Sequence, residues 1–393
     1  MVKPLQMNVE ICASVVTGFE KIAAEEISLI STVRNVKWER GNVRFRIDLK
    51  SSPEILKLRS VDNLYVVFYE KSVVSLTNLD KETALRTIQN QIVFCDWESA
   101  IETYQLIRGK TINGGSELHV QRIKEFASNG IRLEVNEISP KFRVTCKRCG
   151  EKEIHKFSSM EAASKFGADI NNAFGWKCSV HDFDIEVVLR IEKDNITVMM
   201  ALNDESLFKR NISAYGPTTM RSTICHCMLR LADIKSGEIV VDPMCGGGSI
   251  PIEGSISWKN SFFFGGDNHE LALERCRENL NANSSIKNCE FFTWDATNLP
   301  FQNNSINSIV TDLPFGRKIG SRMDNRLLYP LLLEEWKRVL KIGGRLVVMT
   351  HDKRSLENSL LKDRSSWQKK SFHIVNMGGL QCLCLCLLNT KSS

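Results

Sequence analysis

Residues 239–250 read IVVDPMCGGGSI. Ile239, Val240 and Val241 form a short apolar strand ended by Asp242, and Gly246, Gly247 and Gly248 lead into a helix expected from about Ser249. A strand running through a glycine-rich turn into a helix lets the backbone approach a ligand closely and aims the helix N-terminus at it. The spacing departs from the dinucleotide G-x-G-x-x-G pattern, because Ser249, Ile250 and Pro251 follow the three glycines. Taken alone, such a turn can also be a plain tight connection.

The same grammar continues downstream. Strands are expected at 262–265, 290–294, 306–311, 345–350, 372–377 and 381–388, and helices at 270–281 and 327–340. Such alternation implies a parallel sheet wrapped by helices, about 175 residues in all, with ligands at the carboxyl ends of its strands. Upstream the pattern is α+β. A strand over 8–16 precedes a helix opened by Thr17-Gly18-Phe19-Glu20, in which Phe19, Ile22, Ala23, Ile27 and Ile30 recur at helical spacing. In GNVRFRIDL (41–49), Val43, Phe45 and Ile47 alternate with Arg44 and Arg46; a helix near 55–58 and a strand at 64–69 complete this unit. A second α+β unit follows, with strands at 142–146, 183–191 and 196–202, a helix at 159–174, and a poorly patterned stretch before it at 80–135. The polar, turn-rich residues 203–218 read as a linker.

Length and composition narrow the class. The chain has 393 residues, 42% hydrophobic and 25% charged, with 9 Pro and 23 Gly, which excludes collagen-like and wholly disordered chains. No apolar run approaches the roughly 18 residues of a membrane span. The first ten residues resemble neither a signal peptide nor a transit peptide, so residence in the cytoplasm, or also the nucleus, is expected. Thirteen Cys, several at strand-interior positions, read as reduced thiols packed as small hydrophobes. Cys146 and Cys149 have metal-ligand spacing without a second pair, so no metal is expected. Net charge is +6, with most of the surplus beyond residue 210.

Acids recur where this sheet would bind a ligand. Asp267 follows Phe262-Phe263-Phe264-Gly265-Gly266 and could hold ribose hydroxyls or cap the next helix. Asp295 follows Trp294 and could equally be a loop carboxylate. Thr311-Asp312-Leu313-Pro314-Phe315-Gly316 then closes the fourth strand of the unit. An acceptor, a rigid proline turn and an aromatic suit an exocyclic amine on a stacked ring; the alternative is an Asp-capped loop with a buried Phe. The densest basic stretch is Lys141, Arg143, Lys147, Arg148, Lys152 and Lys156, beside Phe142 and Phe157, which suits an RNA backbone or an ordinary solvated strand edge. Arg317, Lys318, Arg322 and Arg326 follow the proline turn and could hold phosphates flanking a flipped base.

The order Asp-Pro-Met-Cys-Gly-Gly-Gly, Asp267, Asp295 and Asp-Leu-Pro-Phe resembles the amino-methylating class of S-adenosylmethionine-dependent methyltransferases, whose signature is [Asn/Asp]-Pro-Pro-[Tyr/Phe]. Over nearly its full length, weakest at 71–135, the chain is similar to the THUMP-domain tRNA guanosine N2-methyltransferases. TGFE (17–20), RSVDNL (59–64), KFRVTC (141–146) and GPTTMRST (216–223) carry that likeness with 311–316. The resemblance implies an α/β fold: an α+β ferredoxin-like domain at 1–75, an RNA-binding THUMP domain at 76–203, a linker at 204–218 and a Rossmann-like class I methyltransferase domain at 219–393. It implies S-adenosylmethionine held by Asp242, Cys245, Gly246, Gly248, Asp267, Asn268, Asp295, Ala296 and Asp312. Gly246 and Gly248 would meet its methionine part, Asp267 its ribose and Asp295 its adenine amine. Asp312, Pro314 and Phe315 would meet the guanine, and Lys141, Arg143, Lys147, Arg148, Arg317 and Lys318 the tRNA, whose acceptor stem would be the target. A small zinc-containing activator subunit is implied as partner. Leu313 stands where many relatives have Pro, and Gly247 where Thr is common, which would leave a looser loop. The alternatives are methylation of another RNA or of a protein glutamine amide, and an inert RNA-binding protein; the intact Asp242, Gly246, Gly248, Asp267 and Asp312 count against inertness.

Overall fold

Alternating apolar residues build the N-terminal half around one sheet. The computed structural model describes residues 8–48, 54–73, 75–113, 115–135, 139–150, 152–315 and 321–391. Strand β1 (Asn8–Ser14) leads to helix α1 (Glu20–Ile27), then β2 (Val33–Glu39), β3 (Asn42–Asp48) and β4 (Asn63–Ser72). Helices α2 (Lys81–Gln89), α3 (Trp97–Arg108) and α4 (Gly115–Asn129) precede β5 (Lys141–Cys149), α5 (Ser159–Phe174), β6 (Lys177–Cys178), β7 (Ile185–Glu192) and β8 (Asn195–Ala201). Ile22, Ala23 and Ile27 of α1 and Val43, Phe45 and Ile47 of β3 are buried together, as their spacing predicts. Helix α5 starts at a capping box of Ser158 and Glu161 and stops at Gly175, whose φ of +66° is left-handed.

The eight strands run in the order β2-β3-β1-β4-β8-β7-β5-β6. The two expected N-terminal units therefore share one continuous sheet, because β4 pairs antiparallel with β8, Tyr65 opposite Ala201 and Val66 opposite Met200. A boundary at residue 75 passes through hydrogen-bonded structure. Apolar residues on both faces of β4 and β8 gave no sequence sign of this pairing.

The C-terminal half holds α6 (Ser222–Leu231), β9 (Ile239–Asp242), α7 (Ser249–Ser257), β10 (Phe262–Asp267), α8 (Glu270–Ala282), β11 (Cys289–Thr293) and β12 (Ile306–Asp312). Helix α9 (Arg322–Val339), β13 (Leu340–Thr350), α10 (Lys353–Lys362), β14 (Trp367–Met377) and β15 (Leu380–Asn389) complete it. Its sheet order is β11-β10-β9-β12-β13-β15-β14. The first five strands are parallel, and β15 enters antiparallel between β13 and β14 after a Gly378-Gly379 turn. Cys382, Cys384 and Cys386 of β15 are packed in the core. The order places the ends of β9, β10 and β12 side by side at one rim.

The halves pack tightly. Asn376 donates its amide to the Thr17 carbonyl at 2.9 Å, and a Cβ on Gly18 would collide with the Ile374 carbonyl. The stretch read as a linker is not a free tether. Leu207 donates to the Asp62 carbonyl at 2.8 Å, and Ser213 and Ala214 donate to Asn279 Oδ1 at 2.9 and 2.8 Å.

Candidate active site

The glycine turn is shaped by what surrounds each glycine. Gly246 (φ +52°) and Gly248 (φ +80°) are left-handed, a region that disfavours any Cβ. A Cβ on Gly248 would stand 2.7 Å from the Phe291 ring, whereas one on Gly246 would meet nothing within 4 Å, so the turn is open there. Gly247 is ordinary: its Cβ would lie 3.6 Å from Asn279 Nδ2. That same amide donates to the Gly247 carbonyl at 2.9 Å, so the loop is held where the sequence suggested looseness. The thiol of Cys276 donates to the Gly246 carbonyl at 3.1 Å, and Cys245 is buried 3.7 Å from it, as a filler of the loop.

The strand-end acids converge on this turn. Asp267 accepts from the Gly246 amide at 3.0 Å through Oδ2 and from the His269 amide at 2.9 Å through Oδ1, tying the ends of β9 and β10 together. Asn268 is exposed beside it. Asp242 is buried, accepts from the Met244 amide at 3.3 Å, and is pushed well above the usual carboxylate range by burial and by the charges of Asp312 and Asp267. Asp295 is exposed and accepts from the amide and hydroxyl of Thr297 at 2.8 and 2.7 Å, which hold its carboxyl below its ordinary value. The Ala296 carbonyl accepts from Trp336 Nε1 at 3.1 Å.

Asp312 ends β12, and burial, reinforced by the charge of Asp267, raises its carboxyl to about 7. The turn after it is rigidly held. Leu313 donates to the Met349 carbonyl at 2.8 Å. The Pro314 carbonyl accepts from the Tyr329 hydroxyl at 2.5 Å and from Asn325 Nδ2 at 3.0 Å. Tyr329 meets Thr350 Oγ1 at 2.9 Å and Asn325 donates to Asp352 at 3.1 Å, so the brace reaches β13 and the start of α10. Phe315 is half-buried against the core. Arg317 and Lys318 lie outside the described residues.

Sequence reasoning missed three positioning side chains: Asn279, Asn325 and Tyr329. It also passed over Trp294, whose Nε1 donates to the Pro243 carbonyl at 3.0 Å and whose indole fills the space a side chain at Gly266 would need. Three of the four basic residues of β5, Lys141, Arg143 and Lys147, share one face of the strand. Arg143 pairs with Glu186 at 2.9 Å and stacks 3.9 Å over the Phe183 ring, Lys141 pairs with Asp182, and Lys147 donates to the Tyr65 hydroxyl at 3.1 Å. Arg148 points to the opposite, helix-covered face, donating to Ser159 at 3.3 Å.

The arrangement suits a cofactor cradle beside an acceptor for an amine. An open glycine turn at a helix N-terminus, tied to a strand-end carboxylate, fits the amino-acid and ribose parts of a nucleoside cofactor. The acidic cluster fits a cationic methyl donor and an amine that gains positive charge.

Comparison with known proteins agrees. Residues 210–382 match the RMKL-like methyltransferase domain family model, and residues 119–201 match the THUMP domain. The human tRNA (guanine(6)-N(2))-methyltransferase THUMP3 is 34% identical, with 99% of this chain and 90% of the relative aligned. TrmN from Thermus thermophilus superposes with a TM-score of 0.75 at 21% identity, over 97% of this chain and 99% of that one. SMU.472, a putative methyltransferase solved in complex with SAH, superposes with a TM-score of 0.72 at 15% identity, over 98% of this chain and 100% of that one.

Proposed function

Since the chain belongs to the family of the THUMP3 tRNA (guanine-N2)-methyltransferases, we propose that it methylates the exocyclic N2 of an acceptor-stem guanosine in tRNA. It is an S-adenosylmethionine-dependent enzyme with a THUMP domain. The observation that carries the reading is the braced Asp312-Leu313-Pro314-Phe315 turn beside the glycine cradle.

S-adenosylmethionine supplies a methyl group already activated on a sulfonium. We assign its methionine part to Gly246 and Gly248 with Cys245, its ribose to Asp267 and Asn268, and its adenine to Asp295 and Ala296, with Asp242 shaping the turn from behind. The chain's remaining task is to align and polarise the acceptor. The N2 lone pair is delocalised into guanine, and the nitrogen becomes positive as its bond to carbon forms. Asp312 accepts a hydrogen bond from that amine and stabilises the charge more in the transition state than before it. A carboxyl near 7 can then take the proton that the nitrogen sheds. Phe315 fixes the base plane after the guanosine leaves its stack.

Two further parts of the reading are proposals. We place the enzyme in the cytoplasm or nucleus, on the strength of thiols spread through its packed interior. We also propose the small zinc-containing activator as partner, docked on β11. The crossover from β11 to β12, residues 294–305, carries no helix, and Phe262 and Phe292 remain 53% and 42% exposed beside Phe264 at this sheet edge. An unpaired edge strand flanked by aromatic side chains suits a partner that offers a strand and an apolar face.

The substrate assignment is tested by offering the enzyme, with and without the activator, unmodified tRNA, a U-rich small nuclear RNA and a glutamine peptide. Methyl transfer confined to tRNA supports it, and transfer confined to either alternative refutes it. Phe292→Ser should abolish co-purification of the activator while leaving the chain folded; retained binding would move the docking site elsewhere.

A further inference from the structure

Two of the stretches that carry the family likeness, residues 59–64 and 216–223, lie outside the cradle and the Asp312 turn, and in the structure they meet each other. The Thr223 hydroxyl donates to Asp62 Oδ1 at 2.7 Å, and Arg221 stands 3.6 Å from Asp62 Oδ2. Asp62 is itself anchored in the N-terminal sheet, its amide donating to the Ser14 carbonyl at 2.8 Å. Next to it, Arg59 makes a two-pronged pair with Glu253, Nε to Oε1 at 2.5 Å and a terminal nitrogen to Oε2 at 2.7 Å. Glu253 is 1% exposed and lies on α7, the helix that the glycine turn opens. Asn211 donates to it at 3.0 Å.

The network closes through a histidine. His226 of α6 lies 3.3 Å from Glu253 through Nδ1 and 3.3 Å from Glu26 through Nε2. Glu26, on α1, accepts from the Arg59 and Ser60 amides at 3.1 and 2.9 Å. Burial disfavours the charge on Glu26, yet the His226 imidazole beside it and the Ser60 hydrogen bonds hold it at about 2. Burial likewise opposes charge on His226 and Glu253, yet the carboxylates of Glu253 and Glu26 raise His226, and Arg59 and His226 lower Glu253.

A buried ionic network is a poor source of stability compared with apolar packing of the same volume, but it admits few geometries. A bidentate arginine–carboxylate pair in particular fixes direction as well as distance. Apolar faces, by contrast, tolerate sliding. Here the network joins α1 and the end of the N-terminal sheet to α6 and α7. We infer that Arg59, Asp62, Thr223, His226 and Glu253 are positioning residues that fix the RNA-binding sheet at one angle to Asp312, and thereby choose which guanosine of a bound tRNA arrives there. The inference rests on the tRNA reading above.

The test uses the full chain with its activator. Arg59→Gln, Glu253→Gln and the double variant are compared for S-adenosylmethionine affinity, tRNA affinity, single-turnover methylation, and the position of N2-methylguanosine in nuclease fragments read by mass spectrometry. Both affinities should stay within about threefold. The rate at the natural guanosine should fall about 10- to 100-fold, as a misplacement near one ångström implies. Methyl groups should appear on neighbouring guanosines, and the double variant should lose no more than the worse single one. Thr223→Val removes one hydroxyl from the second pair and serves if the charge variants fail to fold; it should spread the methylated positions in the same way. A folded variant that methylates a single guanosine at an unchanged rate overturns the inference, as does a loss that merely tracks cofactor affinity. Absence of tRNA methylation by the unaltered enzyme overturns the tRNA reading and the inference together.

Discussion

Asp312 combines two properties that rarely coincide: it closes a strand at the cofactor rim, and burial lifts its carboxyl to about 7. The carboxylate is the useful form, so methylation should rise with pH through about 7 and level off above it. Asp312→Ala should remove that rise and lower the rate by about 10²-fold or more, as expected when a group that stabilises transition-state charge is lost. The same shift affects folding. The folded state keeps a proton there that the unfolded chain releases near the ordinary carboxylate range, so this group favours the fold at low pH, and its contribution is lost as pH rises toward 7. Tyr329→Phe should free the Pro314 carbonyl from its 2.5 Å partner and lower kcat about tenfold with KM for tRNA little changed. Asp312 and Phe315 were legible because the chemistry gathers them within four residues. Tyr329, Asn325 and Asn279 were not, because each acts on a carbonyl 11 to 32 positions away and carries no local pattern.

Among elements, the turn between β9 and α7 separates structural glycine from incidental glycine. Gly248→Ala meets both a left-handed φ and the Phe291 ring, so it should cost about 1–3 kcal/mol of stability and weaken cofactor binding. Gly247→Ala should be nearly silent in both, because its Cβ falls in ordinary contact with Asn279. Thermal unfolding and calorimetric cofactor titration of the pair separate these outcomes. Elements with one polar face were readable from spacing, as α5 and α8 show. Helix α6 was not, because its polar Ser222, Thr223 and His226 are buried along with its apolar residues, facing the N-terminal half and its own neighbours instead of solvent. Strand β13 begins five residues earlier than expected, and Gly343 and Gly344 sit inside it.

For the molecule as a whole, two sheets are held at a fixed angle by a charged junction, and the sequence showed neither the continuous eight-stranded sheet nor the junction. Both depend on pairings of residues more than 100 positions apart, such as Tyr65 with Ala201 and Arg59 with Glu253. The junction has its own pH signature. His226 is raised above its ordinary 6.5, so its contribution is complete below that value and lost as pH rises through the folded one. Glu26 is depressed from 4.5 to about 2, so its contribution is complete above 4.5 and lost as pH falls toward 2. The melting temperature should therefore decline on the alkaline side of this window, and His226→Gln should flatten that decline. The central claim is that this chain methylates guanine N2 in tRNA at Asp312. It is tested most directly by a single turnover of the purified chain with its activator, unmodified tRNA and labelled S-adenosylmethionine, digested to nucleosides and resolved by mass spectrometry. The account predicts label in N2-methylguanosine that disappears with Asp312→Ala while cofactor binding persists; label in any other nucleoside, or undiminished label in that variant, would contradict it.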